Sequence, residues 1–192
     1  MTPLLLIRHG VTDWNALKRL QGRSDRHLSE QGKADVRGWS IPQEFCDYHC
    51  VSSPLVRARD TARLLGKEPE IEVALTEMSW GDWEGENWQD LQTSLGRDVM
   101  SAHETLGLDF RPDGGESPRE VQQRLMPWLE ALHRPTLAVS HKGVMQALYS
   151  LASGWQMTAK APIKFRHGEA HLFEISSGQV SIGRMNIPLE TS

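Results

Sequence analysis

This 192-residue chain has little cysteine, no long apolar run and no excess of positive charge. Its two cysteines, Cys46 and Cys50, are too few for a disulfide framework, so a reducing cytoplasm is the expected location. The longest apolar run near the amino terminus, residues 4–7, is far too short for a membrane span or a signal-peptide core. The formal charge of −4 argues against a nucleic-acid-binding protein.

Internal repeats, low-complexity tracts and linkers rich in Gly, Pro or Ser are also absent from the sequence, which predicts one domain over residues 1–192. The charge is unevenly spread, because residues 1–67 carry eleven Lys or Arg against seven acids. This bias is either ordinary solvated surface or the sign of an anion site built mainly from the N-terminal third.

Short apolar runs alternate with amphipathic segments along the chain. Strands are expected at residues 4–7, 48–53, 71–75 and 137–139, with a hairpin at 170–175 and 179–185. Helices are expected after Ser29, after Pro54, after the capping residue Ser117 and after Gly143. Strands separated by helices predict an α/β fold, a three-layer α/β/α sandwich with a mostly parallel sheet and helices on both faces.

Histidine, arginine and glutamate follow the predicted strands. The first strand leads into Arg8 and His9, and later strands lead in turn into Arg57, Glu77 and His141. Ligands of open parallel sheets lie outside the carboxyl ends of the strands. If these strands are neighbours in the sheet, the five side chains converge on one pocket.

Two histidines, two arginines and one carboxylate are a set that suits phosphoryl transfer. The planar fork of arginine forms paired hydrogen bonds with phosphate oxygens and stays charged. A neutral imidazole can attack phosphorus if its other nitrogen is held as a donor. A carboxyl group whose pKa is raised by a closed site can protonate the departing alkoxide. Each of these residues taken alone could have a purely structural role. The prediction of a phosphoryl-transfer site therefore depends on the whole set.

A series of motifs, in one order over nearly the whole chain, resembles the histidine phosphatase superfamily, also called phosphoglycerate mutase-like. A lone Arg-His-Gly recurs by chance, whereas the ordered set is specific. The matching stretches are Leu5-Leu6-Ile7-Arg8-His9-Gly10, Thr12-Asp13-Trp14-Asn15, Leu20-Gln21-Gly22, Leu28-Ser29-Glu30-Gln31-Gly32, Ser52-Ser53-Pro54-Leu55-Val56-Arg57-Ala58, Leu75-Thr76-Glu77, Gly81-Asp82-Trp83-Glu84-Gly85, Gly115-Glu116-Ser117 and Ser140-His141.

The resemblance implies a role for each matching residue. His9 would be the nucleophile that becomes phosphohistidine, and Glu77 would be the general acid and later the base for water. The residues that would bind the phosphoryl group or form the pocket wall are Arg8, Asn15, Gln21, Gly22, Arg57 and His141. The resemblance implies no metal and no organic cofactor. The expected partner is a small-molecule phosphomonoester, not nucleic acid or a membrane, and a homodimer remains open.

Three details leave alternatives open or differ from the family pattern. Lys142 follows the second histidine where many relatives have glycine, and its ammonium either adds anion affinity or points to solvent. His167 and His171 are four residues apart, but the zinc-protease motif needs a helix and Glu after the first His, so a metal site is not expected. Cys46 and Cys50 have the same spacing and are expected to be buried thiols.

Residues 78–115 are expected to form a lid over the pocket. Eight acids and two arginines occur in this segment: Asp82, Glu84, Glu86, Asp90, Asp98, Glu104, Asp109, Asp113, Arg97 and Arg111. Such a lid would repel the second anionic group that a mutase or bisphosphatase must bind. Its tryptophans Trp80, Trp83 and Trp88 either stack on a flat apolar group or anchor the lid to the body.

The sequence therefore favours hydrolysis of a phosphomonoester whose alcohol is uncharged or aromatic. The Gly-Asp-Trp-Glu-Gly and Gly-Gly-Glu-Ser stretches resemble those of alpha-ribazole phosphatases of cobalamin synthesis and of broad-specificity relatives. The alternatives are a phosphoglycerate-type mutase and a catalytically inactive binding member of the fold. Inactive members usually lack one of the pocket residues, and all of them are present here. A small esterase fits poorly because no Gly-x-Ser-x-Gly elbow occurs.

Overall fold

A seven-stranded sheet forms the middle layer of the structure, a computed structural model that describes residues 1–191. Side chains of residues 103, 104, 190 and 191 are outside that description, as is Ser192, the last residue of the expected domain. The strands are β1 (Thr2–Arg8), β2 (Trp39–Ser40), β3 (His49–Ser52), β4 (Glu70–Ile71), β5 (Thr136–Ser140), β6 (Glu169–Ser176), β7 (Gln179–Ile182), β8 (Ile187–Pro188) and β9 (Glu190–Thr191).

Helices and short 3₁₀ turns connect these strands. The α-helices are α1 (Asp13–Ala16), α2 (Glu30–Arg37), α3 (Val56–Leu64), α4 (Trp88–Leu95), α5 (Arg97–Thr105), α6 (Pro118–Ala131) and α7 (Lys142–Ser153). The 3₁₀ turns span Gln43–Phe45, Val73–Leu75, Gly81–Trp83 and Gly107–Asp109. None of the helices in the described part of the chain is long and apolar enough to cross a membrane.

The strand order in the main sheet is β4-β3-β5-β1-β6-β7, with β8 paired to β6. Strands β4, β3, β5 and β1 run parallel, while β6 runs antiparallel to β1, β7 and β8. The predicted sandwich is therefore confirmed, and its sheet is parallel on the side where the histidines were expected. The predicted hairpin forms the antiparallel side as β6 and β7.

Strand β1 explains why the sheet is covered on both faces. Its four central residues are fully buried, and alternate side chains point to opposite faces of a strand. Leu4 and Leu6 pack in one cluster with residues of α6 and α7. Leu5 and Ile7 pack in a second cluster with Ala58 and Ala62 of α3. A wholly apolar strand thus requires a helical layer on each side.

Helix starts follow the capping residues that the sequence predicts. The Ser29 hydroxyl accepts the Gly32 N–H at 3.0 Å at the start of α2. At the start of α6, Ser117 and Glu120 form a capping box: the Ser117 hydroxyl accepts the Glu120 N–H at 3.2 Å and the Glu120 carboxylate accepts the Ser117 N–H at 2.7 Å. These bonds satisfy amide groups that a helix start leaves unpaired, so the caps fix where the helices begin.

The strand expected at residues 71–75 is wrong in its extent. Strand β4 is only two residues long, and a 3₁₀ turn follows at Val73–Leu75. The Glu72 carboxylate accepts the Ala74 N–H at 2.8 Å and so ends the strand locally. Ile71 and Val73 are exposed because β4 lies at the sheet edge. Of the two cysteines, Cys50 is buried as expected and Cys46 is half-buried, and both are free thiols.

Candidate active site

Strand register places the two predicted histidines side by side. Arg8 of β1 is opposite Ser140 of β5, so His9 and His141 are the next residues of two neighbouring parallel strands. The His9 backbone N–H donates to the Ser140 carbonyl at 3.0 Å, which extends the ladder by one bond. The two imidazole centroids are 5.1 Å apart. The carboxyl edge of the sheet therefore forms the floor of the site.

The hydrogen bond of the His9 ring determines its tautomer. Nδ1 lies 2.6 Å from the Gly10 carbonyl oxygen, and a carbonyl oxygen only accepts. Nδ1 therefore carries the proton. Burial, together with the charges of Arg57 and Arg8, holds the pKa of His9 well below its usual value, so the ring is neutral. A neutral ring protonated at Nδ1 has a free lone pair at Nε2, which is what a nucleophile needs.

Arg57 and Arg8 bring buried positive charge to the floor. Arg57 is fully buried near the start of α3 and donates to the carbonyls of Gly22 at 2.7 Å and Ser24 at 2.9 Å. The Nε atoms of both arginines are buried and have no partner among the described residues. Burial lowers the pKa of Arg8 to about 10, so it stays charged at neutral pH. Buried cations with unpaired N–H groups favour an anionic ligand.

Glu77 follows the 3₁₀ turn at Val73–Leu75 and faces the arginines. Its Oε1 accepts the Met78 N–H at 2.9 Å and its Oε2 accepts the Gly143 N–H at 3.3 Å. A Cβ at Gly143 would stand 2.5 Å from Glu77 Oε1, so a larger residue here would displace the carboxylate from its present position. Burial raises the pKa of Glu77, and these amides and Arg57 oppose the rise only in part. The side chain thus has the property of a general acid.

Asn15, Gln21 and Gly22 form one wall, as the resemblance implies. The Asn15 carboxamide oxygen accepts from the Thr12 backbone N–H at 3.0 Å and so also completes the cap of α1. The Gln21 oxygen accepts from the Thr12 hydroxyl at 2.9 Å. Gly22 has a φ of +51°, and a Cβ there would collide with the Glu84 carboxylate. The wall is therefore rigid before any ligand arrives.

These groups enclose a cleft of about 390 Å³, here called the catalytic cleft. It is lined by Arg8, His9, Asn15, Lys18, Arg19, Leu20, Gln21, Gly22, Arg57, Glu77, Met78, Trp80, Lys142, Gly143 and Gln146. Seven of the eight predicted site residues are in this lining. The eighth, His141, lies buried behind His9, with its Nε2 2.7 Å from the Ser53 hydroxyl and its Nδ1 without a partner among the described residues.

The model of the histidine phosphatase superfamily (branch 1) matches residues 4–188. The chain belongs to this superfamily. The glucosyl-3-phosphoglycerate phosphatase of Mycobacterium tuberculosis is 32% identical over 76% of this chain and 72% of the relative. A 2,3-bisphosphoglycerate-dependent phosphoglycerate mutase of Methylobacterium radiotolerans is 27% identical over 91% and 90%. The solved mycobacterial glucosyl-3-phosphoglycerate phosphatase in complex with VO3 is 27% identical, with a TM-score of 0.77 over 97% of this chain and 100% of that one.

The relatives named as phosphatases confirm that this histidine phosphatase is an enzyme of the phosphatase class. They also support a small phosphorylated molecule as its substrate. The comparisons include both a phosphatase and a mutase, so they do not decide which phosphorylated molecule this superfamily member takes.

His167 contacts the backbone of His9, the predicted nucleophile, and the sequence analysis considered it only as a metal ligand. Its Nδ1 lies 2.9 Å from the His9 carbonyl oxygen and so donates to it. Burial lowers the pKa of His167 to about 4, which keeps the ring neutral. Nδ1 of His171 instead accepts the Asn186 N–H at 3.2 Å. No local motif marks His167, because only the antiparallel pairing of β6 with β1 brings it to His9.

The charges of the lid segment, residues 78–115, are arranged differently from the expectation. None of its acids whose side chains the structure describes lines the catalytic cleft, and Glu104 is outside that description. Glu84 accepts the backbone N–H groups of Arg23 and Ser24, each at 2.8 Å, and Asp109 is paired with Arg119. An acidic lid therefore does not make the catalytic cleft acidic.

Basic residues add to the cleft instead. Lys18, Arg19 and Lys142 line it together with the two floor arginines. Lys142 is thus at the cleft, and its side chain is exposed to solvent. Partial burial, and then the charge of Arg8, lowers the pKa of Lys142. The two alternatives that the sequence left open for this residue, added anion affinity and a side chain in solvent, are both compatible with this position.

Proposed function

We propose that this enzyme hydrolyses a small phosphomonoester through a phosphohistidine formed on His9. One observation carries the proposal: the ring of His9 is neutral, donates from Nδ1 to Gly10, and keeps Nε2 free. Two arginines, each with a buried Nε that has no partner among the described residues, line the same cleft, together with a carboxyl group whose pKa is raised. These groups match the three requirements of a nucleophile, an anion clamp and a general acid.

In the first half of the reaction, Arg8 and Arg57 bind the phosphoryl oxygens. His9 Nε2 attacks phosphorus, and the bond from phosphorus to the ester oxygen breaks. The protonated carboxyl group of Glu77 gives its proton to that oxygen, so the product leaves as a neutral alcohol. The ring of phosphorylated His9 gains positive charge, and its hydrogen bond from Nδ1 to the Gly10 carbonyl stabilises it.

In the second half, water takes the place of the alcohol. The Glu77 carboxylate removes a proton from the water as its oxygen attacks phosphorus. The bond from phosphorus to His9 Nε2 breaks, inorganic phosphate leaves, and the imidazole returns to its neutral form. We assign His141 to the same phosphoryl site, since its ring lies against His9 and its buried Nδ1 is without a partner among the described residues.

The proposed substrate has an uncharged or aromatic alcohol, with alpha-ribazole 5′-phosphate or a broad range of metabolite phosphates as candidates. The resemblance of the Gly81–Gly85 and Gly114–Ser117 stretches to those of alpha-ribazole phosphatases supports this class. We propose residues 78–115 as the lid of a single domain. The two ends of this segment are joined by bonds from Asp82 N–H to the Asp113 carbonyl at 2.9 Å and from Glu116 N–H to the Ser79 carbonyl at 3.0 Å.

A second candidate is a phosphoglycerate-type mutase. Lys18, Arg19 and Lys142 give the cleft more positive charge than one phosphoryl group requires, and this charge suits a substrate with a second anionic group. A mutase returns the phosphoryl group to a sugar acid, whereas a phosphatase passes it to water. Isomerisation of 3-phosphoglycerate that depends on 2,3-bisphosphoglycerate would favour the mutase.

The deciding experiment is hydrolysis of a phosphomonoester panel with a chelator present, wild type beside His9→Ala. The panel contains p-nitrophenyl phosphate, 3-phosphoglycerate, fructose 2,6-bisphosphate, nucleoside monophosphates and alpha-ribazole phosphate. We expect turnover that His9→Ala abolishes and a trapped phosphoenzyme that is stable to base and labile to acid. A phosphoenzyme cleaved by hydroxylamine would indicate a carboxylate nucleophile and overturn the mechanism. If none of these esters is hydrolysed, the result would favour the mutase or an inactive binding protein.

A further inference from the structure

A second cavity, of about 560 Å³, opens beside the catalytic cleft. The two spaces share Met78, Trp80 and Gln146 as lining residues, so they lie next to each other and meet at these three side chains. This second space is here called the aromatic cavity. Its remaining lining residues are Trp88, Gly107, Phe110, Pro118, Trp155, Met157, Thr158, Ala159, Lys160 and Ala161.

The rings around the aromatic cavity are fixed by contacts with one another. The Trp80 ring lies edge-on to Trp88, with centroids 6.2 Å apart, and 6.0 Å from Phe110. Trp83 is buried and stacks on Trp80 at 6.5 Å. Trp83 therefore belongs to a small core whose other members, except Leu20, are residues of the lid segment, while Trp80 and Trp88 present surface to the cavity. The position of Trp80 and Trp88 on the cavity wall fits the expectation that they stack on a flat apolar group.

Hydrogen bonds fix the wall of the aromatic cavity that lies opposite the tryptophans. The Leu108 N–H donates to the Gln156 carbonyl at 3.0 Å, and Trp155 Nε1 donates to the Ala159 carbonyl at 3.2 Å. Gly107 has a φ of +53°, and a Cβ at this position would stand 2.1 Å from the Gln156 carbonyl oxygen. These contacts tie the turn at residues 107–109 to the loop at 155–161. The cavity is thus formed before a ligand binds, which lowers the cost of binding.

The catalytic cleft and the aromatic cavity differ in the charge of their lining residues. The catalytic cleft is lined by five basic side chains, whereas Lys160 is the one charged residue among the described residues that line the aromatic cavity. A molecule that spans both spaces must therefore carry its anionic group at one end and an apolar group at the other. The cavity volume lies in the range of about 300–1,000 Å³ that is usual for small-molecule sites.

We infer that the aromatic cavity binds a ring carried by the alcohol of the substrate, while the catalytic cleft holds its phosphoryl group. This inference rests on the proposed hydrolysis and adds the substrate class, a phosphomonoester of a ring-bearing alcohol. The ring enters past Trp80 and packs against Trp88 and Phe110. Aromatic stacking and removal of apolar surface from water then favour such substrates over small alkyl phosphates.

The test compares 2-phenylethyl phosphate with ethyl phosphate. Both esters release a primary alcohol, so the proton transfer from Glu77 is nearly the same and the ring is the main difference. We expect kcat/KM of the wild-type enzyme to be at least about tenfold higher for 2-phenylethyl phosphate, since a buried ring is worth more than a single methylene. The ratio of the two kcat/KM values is the quantity to follow in variants.

Two variants alter the cavity without touching the floor. Ala159→Trp fills the space with an indole from an exposed position, and Trp88→Ala removes one wall. Both should bring the ratio towards one, with turnover of ethyl phosphate within about threefold of wild type. The matched control is Trp128→Ala, because Trp128 lies with His49 and Thr136 where β3 and β5 begin, away from the carboxyl edge. The control should keep the wild-type ratio.

The outcomes separate the two proposals. If the wild-type enzyme hydrolyses both esters equally well, the aromatic cavity does not select the substrate and the inference is wrong, while the proposed hydrolysis stands. A high ratio that persists in both cavity variants would place the ring elsewhere and also overturn the inference. If none of these esters nor p-nitrophenyl phosphate is hydrolysed, the proposed function fails and the inference fails with it. Ethyl phosphate turnover shows that each variant is folded.

Discussion

The floor and the lid of this site are built in different ways. The floor is the carboxyl edge of β1, β3 and β5, where His9, Arg57 and His141 are each at most 3% exposed. The lid, residues 78–115, consists of short helices and turns around the buried Trp83. The difference indicates a division of work. In the proposed mechanism, strands buried on both faces fix the reacting groups, while the proposed lid of short helices and turns lines the space that selects the substrate.

The largest effect that would sharpen this comparison is expected from Glu77, at the junction of floor and lid. Glu77→Gln keeps the shape of the side chain but removes the proton donor. We expect hydrolysis of ethyl phosphate to fall by about 10²- to 10⁴-fold and that of p-nitrophenyl phosphate by much less, because nitrophenolate leaves without a proton. Steady-state kinetics with both esters measure the effect. Equal slowing of the two would remove Glu77 from the acid role.

The same carboxyl group predicts a pH dependence. Because burial raises the pKa of Glu77, its protonated form persists above the usual range for a glutamic acid. For ethyl phosphate, kcat/KM should fall as pH rises through that raised pKa. Burial lowers the pKa of His9, and its ring must be neutral to attack, so titration of His9 can only raise kcat/KM as pH rises and adds no alkaline loss. The alkaline fall should be absent in Glu77→Gln, and its persistence would assign it to another group.

The floor could be predicted from the sequence and the lid could not. An apolar strand followed by Arg8 and His9 predicts its own burial and the edge to which it leads. The lid depends on which way each acid turns, and composition does not contain that information. Glu84 points to the backbone N–H groups of residues 23 and 24, so its charge supports a loop instead of repelling a substrate. The contact of His167 with His9 spans 158 residues, and no local pattern records it.

A substitution of Arg57 tests whether activity depends on the shape of its guanidinium group or only on its positive charge. Arg57→Lys keeps a positive charge but loses the fork that reaches the Gly22 and Ser24 carbonyls. We expect kcat/KM for p-nitrophenyl phosphate to drop by about 10²- to 10³-fold, as for the loss of a well-placed transition-state donor. The matched control is Arg63→Lys on the same helix, where Arg63 is exposed and pairs with Glu68. A loss under tenfold in Arg57→Lys would show that the charge suffices.

Substitutions of His167 test whether a residue that contacts the backbone of His9 contributes to activity. Its Nδ1 lies 2.9 Å from the His9 carbonyl oxygen and donates to it, and His167 is not among the residues that line the catalytic cleft, so in the proposed mechanism it positions the nucleophile from behind. We expect His167→Ala to lower kcat by about tenfold with KM little changed, and His167→Asn to recover part of the loss because an amide can also donate. The phosphoenzyme level at steady state should follow kcat. Equal kcat values for the alanine and asparagine variants would contradict a role for the donated hydrogen bond.

Glu84 should give the smallest effect on chemistry, and it decides whether the lid is separate from the floor. Its carboxylate accepts from the Arg23 and Ser24 backbone N–H groups and from the Ser24 hydroxyl at 2.7 Å, and the Ser24 carbonyl in turn accepts from Arg57. Glu84→Gln should reduce the free energy of unfolding by about 1–2 kcal/mol, since charge-assisted bonds become neutral ones.

If the division between floor and lid holds, kcat for p-nitrophenyl phosphate stays within about threefold in Glu84→Gln, because strands and not the lid hold the reacting groups. Chemical denaturation measures the first effect and steady-state kinetics the second, with the exposed Glu86→Gln as the control. A loss of kcat as large as that of Arg57→Lys would contradict the proposed independence of the floor and the lid. The lid would then hold the arginine in place through Ser24, and the two regions would act as one.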